Sequence, residues 1–153
     1  MRIVIRTDAS KLIGSGHVMR CLSLAELLSN HDVTVDFITR PHSSNLDELI
    51  QKKGFKVFSL PKYHDQGQLI KKIDYKSWLG VESRVDADET IEILKEADIP
   101  DWLIIDHYSL DSSWENKLRP YAHKIMVIDD LANRSHDCDL LLDQNYIENQ
   151  NDR

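Results

Sequence analysis

The residues best suited to chemistry lie in a short polar segment near the start of the chain, Gly14-Ser15-Gly16-His17. Glycine has no Cβ, so a ligand can approach its backbone closely. The segment leads into an amphipathic helix, whose first N–H groups lack internal partners and whose dipole favours an anion. A histidine at such a junction can transfer a proton beside a bound phosphate near neutral pH. With Arg6, Asp8 and Arg20 nearby, the pattern favours a functional site over a plain turn.

A second polar segment follows a predicted strand in the middle of the chain and consists of Asp106, His107, Tyr108 and Ser109. In an open α/β sheet, ligands bind at the carboxyl ends of the strands, where the strand order reverses. A Rossmann-like order would make the strands before His17 and Tyr108 neighbours, so that both loops face one crevice. The segment could equally be a simple strand-end cap.

Asp129 ends the next predicted strand and Asp130 follows it, so both belong to the same edge of the sheet. Two adjacent carboxylates are compatible with a metal-binding pair. A turn and helix-cap pair is the favoured interpretation, because aspartate is common in both settings.

The glycine segment departs from the common nucleotide-binding fingerprints. Met19 stands where the dinucleotide motif has its third glycine, and no acidic residue ends the second predicted strand to bind a ribose. No Gly-Lys-Ser/Thr follows, as a Walker loop requires, and no Gly-x-Ser-x-Gly elbow of a serine hydrolase is present. The sequence therefore disfavours NAD, and we expect no cofactor.

The remaining potential metal ligands lack a recognisable spacing. The segment His136-Asp137-Cys138-Asp139 contains ligand types but no zinc pattern, so no metal is expected. Cys21 and Cys138 are far apart, and no secretory leader or long apolar run is present, which predicts a reduced cytoplasmic protein without a membrane span. Four other histidines are predicted to be surface or loop residues: His31, His42, His64 and His123.

Size and charge limit the function classes further. The chain has 153 residues, of which 41% are hydrophobic, enough for one domain with a substantial core. Its net charge of -7 repels phosphate backbones and disfavours general nucleic-acid binding. A local basic site for a small anionic ligand stays compatible with this charge.

Apolar runs and amphipathic segments predict the elements that position these residues. Strands are predicted at 2–7, 32–39, 55–60, 102–106, 124–129 and 140–142. Helices are predicted at 17–29, at 44–53 with Gly54 ending it, at about 84–97 with Ser83 as its cap, and after a capping Asp111. Continuously apolar strands alternating with helices are typical of an α/β, Rossmann-like parallel sheet with helices on both faces. That domain would span 1–143, with a long excursion at 61–82 and a polar linker at 144–153.

Several motifs, in order along the chain, resemble the nucleotide-sugar hydrolases of pseudaminic acid biosynthesis. Related spore-coat polysaccharide proteins share much of this pattern. The motifs are Arg6-Thr7-Asp8-Ala9-Ser10, the segment 13–21, Asp106-His107-Tyr108, the segment 127–134 and the segment 136–145. The resemblance implies the GT-B architecture, in which two Rossmann-like domains face a cleft. The lipid II glycosyltransferase family is similar and also has a glycine-rich loop ending in histidine.

The resemblance also implies an activity, the hydrolysis of UDP-2,4-diacetamido-2,4,6-trideoxy-β-L-altropyranose. Water would displace UDP from C1 with inversion and without a metal. It implies that His17 is the general base for that water and that Tyr108 holds substrate or water in the same cleft. Gly14 and Gly16 would let the loop approach the pyrophosphate, and Asp8 would position substrate or loop. The predicted substrate-binding set is completed by Ser15, Arg20 and Asp106.

Members of this family carry a second domain that supplies most of the uridine and diphosphate contacts. The chain stops where that domain should begin, so a second GT-B domain, in cis or in trans, is the predicted partner, and the chain by itself is predicted to be inactive. Two other interpretations stay open. The chain could belong to a GT-B glycosyltransferase, in which a sugar hydroxyl replaces water, or to a nucleotide-sugar-binding module without catalysis.

Overall fold

The computed structural model describes residues 1–62 and 75–145, and it contains one six-stranded sheet. The strands are β1 (Arg2–Thr7), β2 (Thr34–Thr39), β3 (Lys56–Ser59), β4 (Trp102–Asp106), β5 (Lys124–Ile128) and β6 (Leu140–Leu142). They are all parallel and follow the order β3-β2-β1-β4-β5-β6. This is the strand order of a doubly wound Rossmann sheet, and the predicted α/β fold class is confirmed.

Helices cover both faces of this sheet. They are α1 (Gly16–Leu28), α2 (Asp47–Lys52), α3 (Ser83–Lys95) and α4 (Ser112–Leu118). Successive residues of a strand face opposite sides. In β1, Ile3 and Ile5 pack with α1 and α2, whereas Val4 packs with α3 and α4. The two hydrophobic cores therefore bury the central strands from both sides.

The register between the two central strands positions the candidate site. β1 pairs directly with β4, and Thr7, the last residue of β1, lies opposite Asp106, the last residue of β4. The loops that follow these strands therefore start side by side, as the sequence predicts. On the other side of β1 lies β2, so the strand order reverses at this point.

Several predicted helix ends need correction, and others are confirmed. Ser44 has a left-handed φ of 60°, so α2 cannot include it and begins only at Asp47. Ser83 does not cap α3, because Glu82 is the extended N-cap residue and Ser83 is already helical. Asp111 does cap α4, since its side chain accepts a hydrogen bond from the Ser113 N–H at 3.0 Å.

Parts of two predictions lie outside the described residues. Of the predicted excursion at 61–82, residues 63–74 are not described, and Tyr75–Leu79 forms a 3-10 turn. Of the predicted linker, only residues 144 and 145 are described. Among the described residues, no helix combines the length and the apolar character that crossing a bilayer needs.

Candidate functional site

The loop between β1 and α1 is built around Ser10. The Gly14 N–H donates to the Ser10 carbonyl at 2.8 Å, and the Ser10 hydroxyl accepts from the N–H groups of Leu12 and Ile13 at 3.1 and 3.0 Å. Gly14 has a φ of 82°, which favours glycine. Burial of Ile13 anchors the loop to the core. The loop therefore has a defined backbone conformation. The role of Ser10 in holding it is not evident from the sequence.

Gly14, Ser15 and Gly16 are exposed, as are Lys11 and Leu12 earlier in the loop, and the glycine segment leads into the first turn of α1. Ser15 is the N-cap residue but makes no side-chain capping hydrogen bond. A Cβ added at Gly16 would meet no protein atom within 4 Å, and its φ lies outside the left-handed region. Packing within the described residues therefore does not require glycine at position 16.

His17 lies at the start of α1 and is held by a carboxylate from β4. Its side chain is 7% exposed, and Nδ1 lies 2.9 Å from Asp106 Oδ1. Nδ1 also lies 3.2 Å from the Asp106 backbone carbonyl oxygen, to which it is hydrogen-bonded. With the Nδ1 proton directed at these oxygens of Asp106, Nε2 is the nitrogen that can accept a proton. None of the described residues hydrogen-bonds to Nε2. This arrangement of carboxylate and imidazole is one that orients a general base.

Asp106 is fully buried, and Arg20 contacts both of its oxygens at 2.5 Å. Burial by itself would raise the pKa of Asp106, but hydrogen bonds from Arg20 and His17 outweigh it and hold the pKa below its ordinary value. Asp106 is therefore ionised at neutral pH. Its oxygens face Arg20 and His17, and its direct contact with substrate stays a prediction.

Tyr108 completes this side of the site. Its ring lies edge-on to the His17 ring with 4.4 Å between centroids, and its hydroxyl donates to Asp130 Oδ1 at 2.5 Å. Burial, followed by the Asp130 carboxylate, raises the pKa of Tyr108 to about 12, so the hydroxyl stays protonated. Arg20 also lies 3.9 Å from Asp130. The sequence places Asp130 at this edge, but the site prediction omitted it.

Asp8, another predicted site residue, is surrounded by protein groups. It is fully buried and takes hydrogen bonds from Arg6 at 2.5 and 2.9 Å and from the Arg40 N–H at 2.6 Å. His107 Nε2 lies 3.3 Å from Asp8 Oδ2. These contacts are consistent with a role of Asp8 in positioning the loop, and its role in positioning substrate stays a prediction.

A buried network of charges extends from Asp8 to the helices behind the sheet. Arg6 also binds Asp86 of α3 at 2.7 Å, and Arg40 binds the same carboxylate at 2.8 Å. The Trp114 indole of α4 donates to Asp86 at 3.1 Å. No motif signals this network in the sequence, because Arg6 and Asp86 are 80 positions apart. These hydrogen bonds link β1 and the end of β2 to α3 and α4.

Aromatic side chains from the 3-10 turn lie beside His17 and Tyr108. The Trp78 ring centroid is 6.4 Å from that of His17 and 5.8 Å from that of Tyr108. Tyr75 lies 4.8 Å from Trp78 and 5.4 Å from Tyr108. No sequence pattern marks Tyr75 and Trp78 as site residues, because they lie in the predicted excursion at 61–82 and not directly after a strand.

The other acidic and histidine motifs have structural partners. Asp129 accepts from the Ala132 N–H at 3.1 Å, which confirms the turn interpretation, but no helix follows it among the described residues. His136 pairs with Glu115 at 2.6 Å. Two carboxylates of the same motif, Asp137 and Asp139, pair with Arg119. Within 1–62 and 75–145, no group of three or more potential ligands could hold a metal ion.

The other predicted surface histidines differ in their environment. His31 and His123 are exposed. His42 is a loop residue whose side chain is only 13% exposed, and its Nε2 lies 3.6 Å from Asp8 Oδ2. His64 lies outside the described residues.

Comparison with known proteins adds one distant relative. No protein-family model matches the chain. The chain is 27% identical over 129 residues to the uncharacterized protein MJ1062 of Methanocaldococcus jannaschii. The match covers 84% of this chain and 22% of MJ1062, so the chain spans about a fifth of that relative. The description of MJ1062 states no activity, and the function must be argued from the site.

Proposed function

We propose that this chain is the Rossmann-like N-terminal half of a nucleotide-sugar hydrolase. The enzyme would remove UDP from C1 of a 2,4-diacetamido-2,4,6-trideoxy hexose, with inversion at that carbon. The observation that carries the proposal is the contact between His17 Nδ1 and Asp106 Oδ1 at 2.9 Å. His17 directly follows the exposed glycine loop. The resemblance of the surrounding motifs to the hydrolases of pseudaminic acid biosynthesis supports the choice of substrate.

In this mechanism, His17 Nε2 accepts a proton from the attacking water. Asp106 receives the hydrogen bond from Nδ1, keeps the imidazole in the tautomer that exposes Nε2 and stabilises the imidazolium that forms. Water approaches C1 opposite the departing UDP oxygen, which gives inversion. A positioned base of this kind contributes on the order of 10²–10⁴-fold to the rate.

The diphosphate would lie on the glycine loop. Gly14, Ser15 and Gly16 are exposed at the start of α1, where free N–H groups and the helix dipole favour an anion. Because no protein atom requires glycine at position 16, a closely approaching ligand explains that residue best. The same groups would stabilise the negative charge that builds on the departing diphosphate.

Tyr108 would line the cleft and would also accept a hydrogen bond. Its proton is directed at Asp130, so the phenolic oxygen can accept a hydrogen bond from water or from a sugar substituent. We propose that a second GT-B domain, in cis or in trans, covers the exposed loop and binds the uridine.

Proton and phosphorus NMR of the full-length gene product with the UDP-linked diacetamido sugar tests this function. The release of UDP and the anomer of the free sugar are followed over time. We expect the inverted sugar from the wild type and a rate about 10²–10⁴-fold lower for His17→Asn. His123→Asn is the matched control, since His123 is exposed and precedes β5 at the opposite edge of the sheet.

Each alternative predicts a different outcome of this experiment. Full turnover by His17→Asn would remove His17 from the chemistry. UDP release that requires an added acceptor sugar would indicate a glycosyltransferase, and binding without turnover would indicate a binding module. Gly16→Ala should fold normally and bind UDP more weakly, and unchanged UDP affinity would exclude the glycine loop as the diphosphate site.

A further inference from the structure

The 3-10 turn Tyr75–Leu79 is held firmly against the candidate site. The Ser109 hydroxyl, from the loop after β4, donates to the Tyr75 carbonyl, and Leu79 is buried in the core. These two anchors set Trp78 between them. Its indole therefore lies beside the rings of His17 and Tyr108 as part of one aromatic wall.

The Trp78 indole has an unusual hydrogen-bonding state. Its Nε1 atom is buried, and among the described residues none accepts its hydrogen. By contrast, the buried indole of Trp114 donates to Asp86 at 3.1 Å. Buried N–H groups without an acceptor are rare, because losing water without gaining a partner is unfavourable. A ligand oxygen could supply the missing acceptor at Trp78.

We propose that Trp78 is a specificity-determining residue that contacts the sugar of the nucleotide-sugar substrate. This inference rests on the proposed function. The indole ring packs against the apolar face and the C6 methyl group of the sugar, and its N–H donates to an acetamido carbonyl oxygen. Contact of the sugar with the ring and a new hydrogen bond at Nε1 change the surroundings of the indole, so its fluorescence should change.

Two substitutions separate the contributions of the ring and of its N–H. Trp78→Phe keeps an aromatic ring but removes the donor, and Trp78→Leu removes the aromatic ring as well. Trp102→Phe is the matched control, because Trp102 begins β4 at the opposite edge of the sheet. Affinities of the full-length protein for UDP and for the UDP-linked diacetamido sugar are measured by calorimetry, after thermal unfolding has shown that the variants fold.

We expect Trp78→Phe to weaken binding of the UDP-sugar about tenfold, the size of one hydrogen bond, and to leave the affinity for UDP unchanged. Trp78→Leu should weaken UDP-sugar binding further. Addition of the UDP-sugar, but not of UDP, should change tryptophan emission in the wild type and in Trp102→Phe, and this change should be absent in Trp78→Phe.

The outcomes distinguish this inference from the function on which it rests. Equal affinities of Trp78→Phe and the wild type for the UDP-sugar would overturn the role of Trp78, even if His17→Asn abolishes turnover and the hydrolase proposal stands. An equal loss of affinity for UDP and for the UDP-sugar would also overturn it, because the contact would then not be with the sugar. A wild-type protein that neither binds nor hydrolyses the UDP-sugar would refute the proposed function, and the Trp78 assignment with it.

Discussion

Replacement of Asp8 by asparagine tests whether the carboxylate beneath the glycine loop is a structural support. Asp8 is fully buried, and both of its oxygens accept hydrogen bonds from Arg6. Asparagine keeps one acceptor oxygen but turns an NH₂ group toward a guanidinium, so one hydrogen bond becomes a contact between two donors. Arg6 keeps its pair with Asp86 at 2.7 Å and is not left wholly uncompensated.

The expected cost follows from these contacts. Removing one partner of a buried ion pair typically costs about 3–5 kcal/mol. The remaining pair with Asp86 sets the Asp8→Asn cost at the lower end, about 3 kcal/mol at neutral pH. For a chain of this length, that loss corresponds to a melting temperature lower by roughly 6–12 °C.

The pH dependence of this cost has a defined sign. Burial would raise the pKa of Asp8, but the charge of Arg6 and the neighbouring imidazoles of His107 and His42 outweigh it and hold the pKa well below its ordinary value. The stability that the ionised Asp8 contributes is complete above the unfolded pKa, near 3.9, and is lost as the pH falls from there through the folded pKa. The difference between wild type and Asp8→Asn should therefore shrink by about 1.4 kcal/mol per pH unit below about pH 4.

Urea unfolding, followed by far-ultraviolet circular dichroism, measures this difference at several pH values. Asp88→Asn is the matched control, because Asp88 is an exposed residue of α3 that pairs with Lys117 at the surface. Its unfolding midpoint should stay close to that of the wild type. If Asp8→Asn kept wild-type stability while losing affinity for UDP-sugar, the structural role would be refuted and a ligand contact supported.

Three further predictions concern single groups. Tyr108 should titrate near pH 12, because burial and then the Asp130 carboxylate raise its pKa to about 12, and Asp130→Asn should lower this value in a near-ultraviolet absorbance titration. Burial lowers the pKa of His107, so the unfolded chain binds this proton more readily, and stability should fall as the pH drops below about 6.5. His107→Gln should remove that part of the pH dependence, and an unchanged slope would contradict it. Asp111→Ala should cost about 1 kcal/mol of unfolding free energy through loss of the α4 cap, whereas Ser83→Ala, which caps no helix, should not.

Local pattern was sufficient for the fold because each strand carries its own signal. The apolar run Ile3 to Ile5 has the continuous hydrophobicity of a strand covered on both faces, and both faces of β1 are indeed packed by helices. The strand order then makes the loops after β1 and β4 neighbours. That rule brings His17 and Tyr108 together, although they are 91 positions apart in the chain.

The role of each carboxylate could not be predicted in the same way. A strand-end aspartate such as Asp8 or Asp106 has the same local sequence signal whether it faces a ligand or is buried under arginines. Its environment depends on groups from other elements, here the backbone N–H of Arg40 after β2 and the side chain of Arg20 on α1. The same reason accounts for Asp130, whose partner is the hydroxyl of Tyr108.

Local sequence patterns predicted the strands and helices, their alternation, and a glycine loop and a histidine at the carboxyl edge of the sheet. Hydrophobic periodicity and the conformational effect of glycine depend on a few neighbouring residues, so both can be recognised in the sequence. The three-dimensional structure was needed to show that Asp106 pairs with His17, that Asp8 accepts from the Arg40 N–H, and that Trp78 lies beside the site. Burial and these hydrogen bonds depend on residues of other strands and helices that are distant in sequence. Those residues set the charge state and the role of a polar side chain.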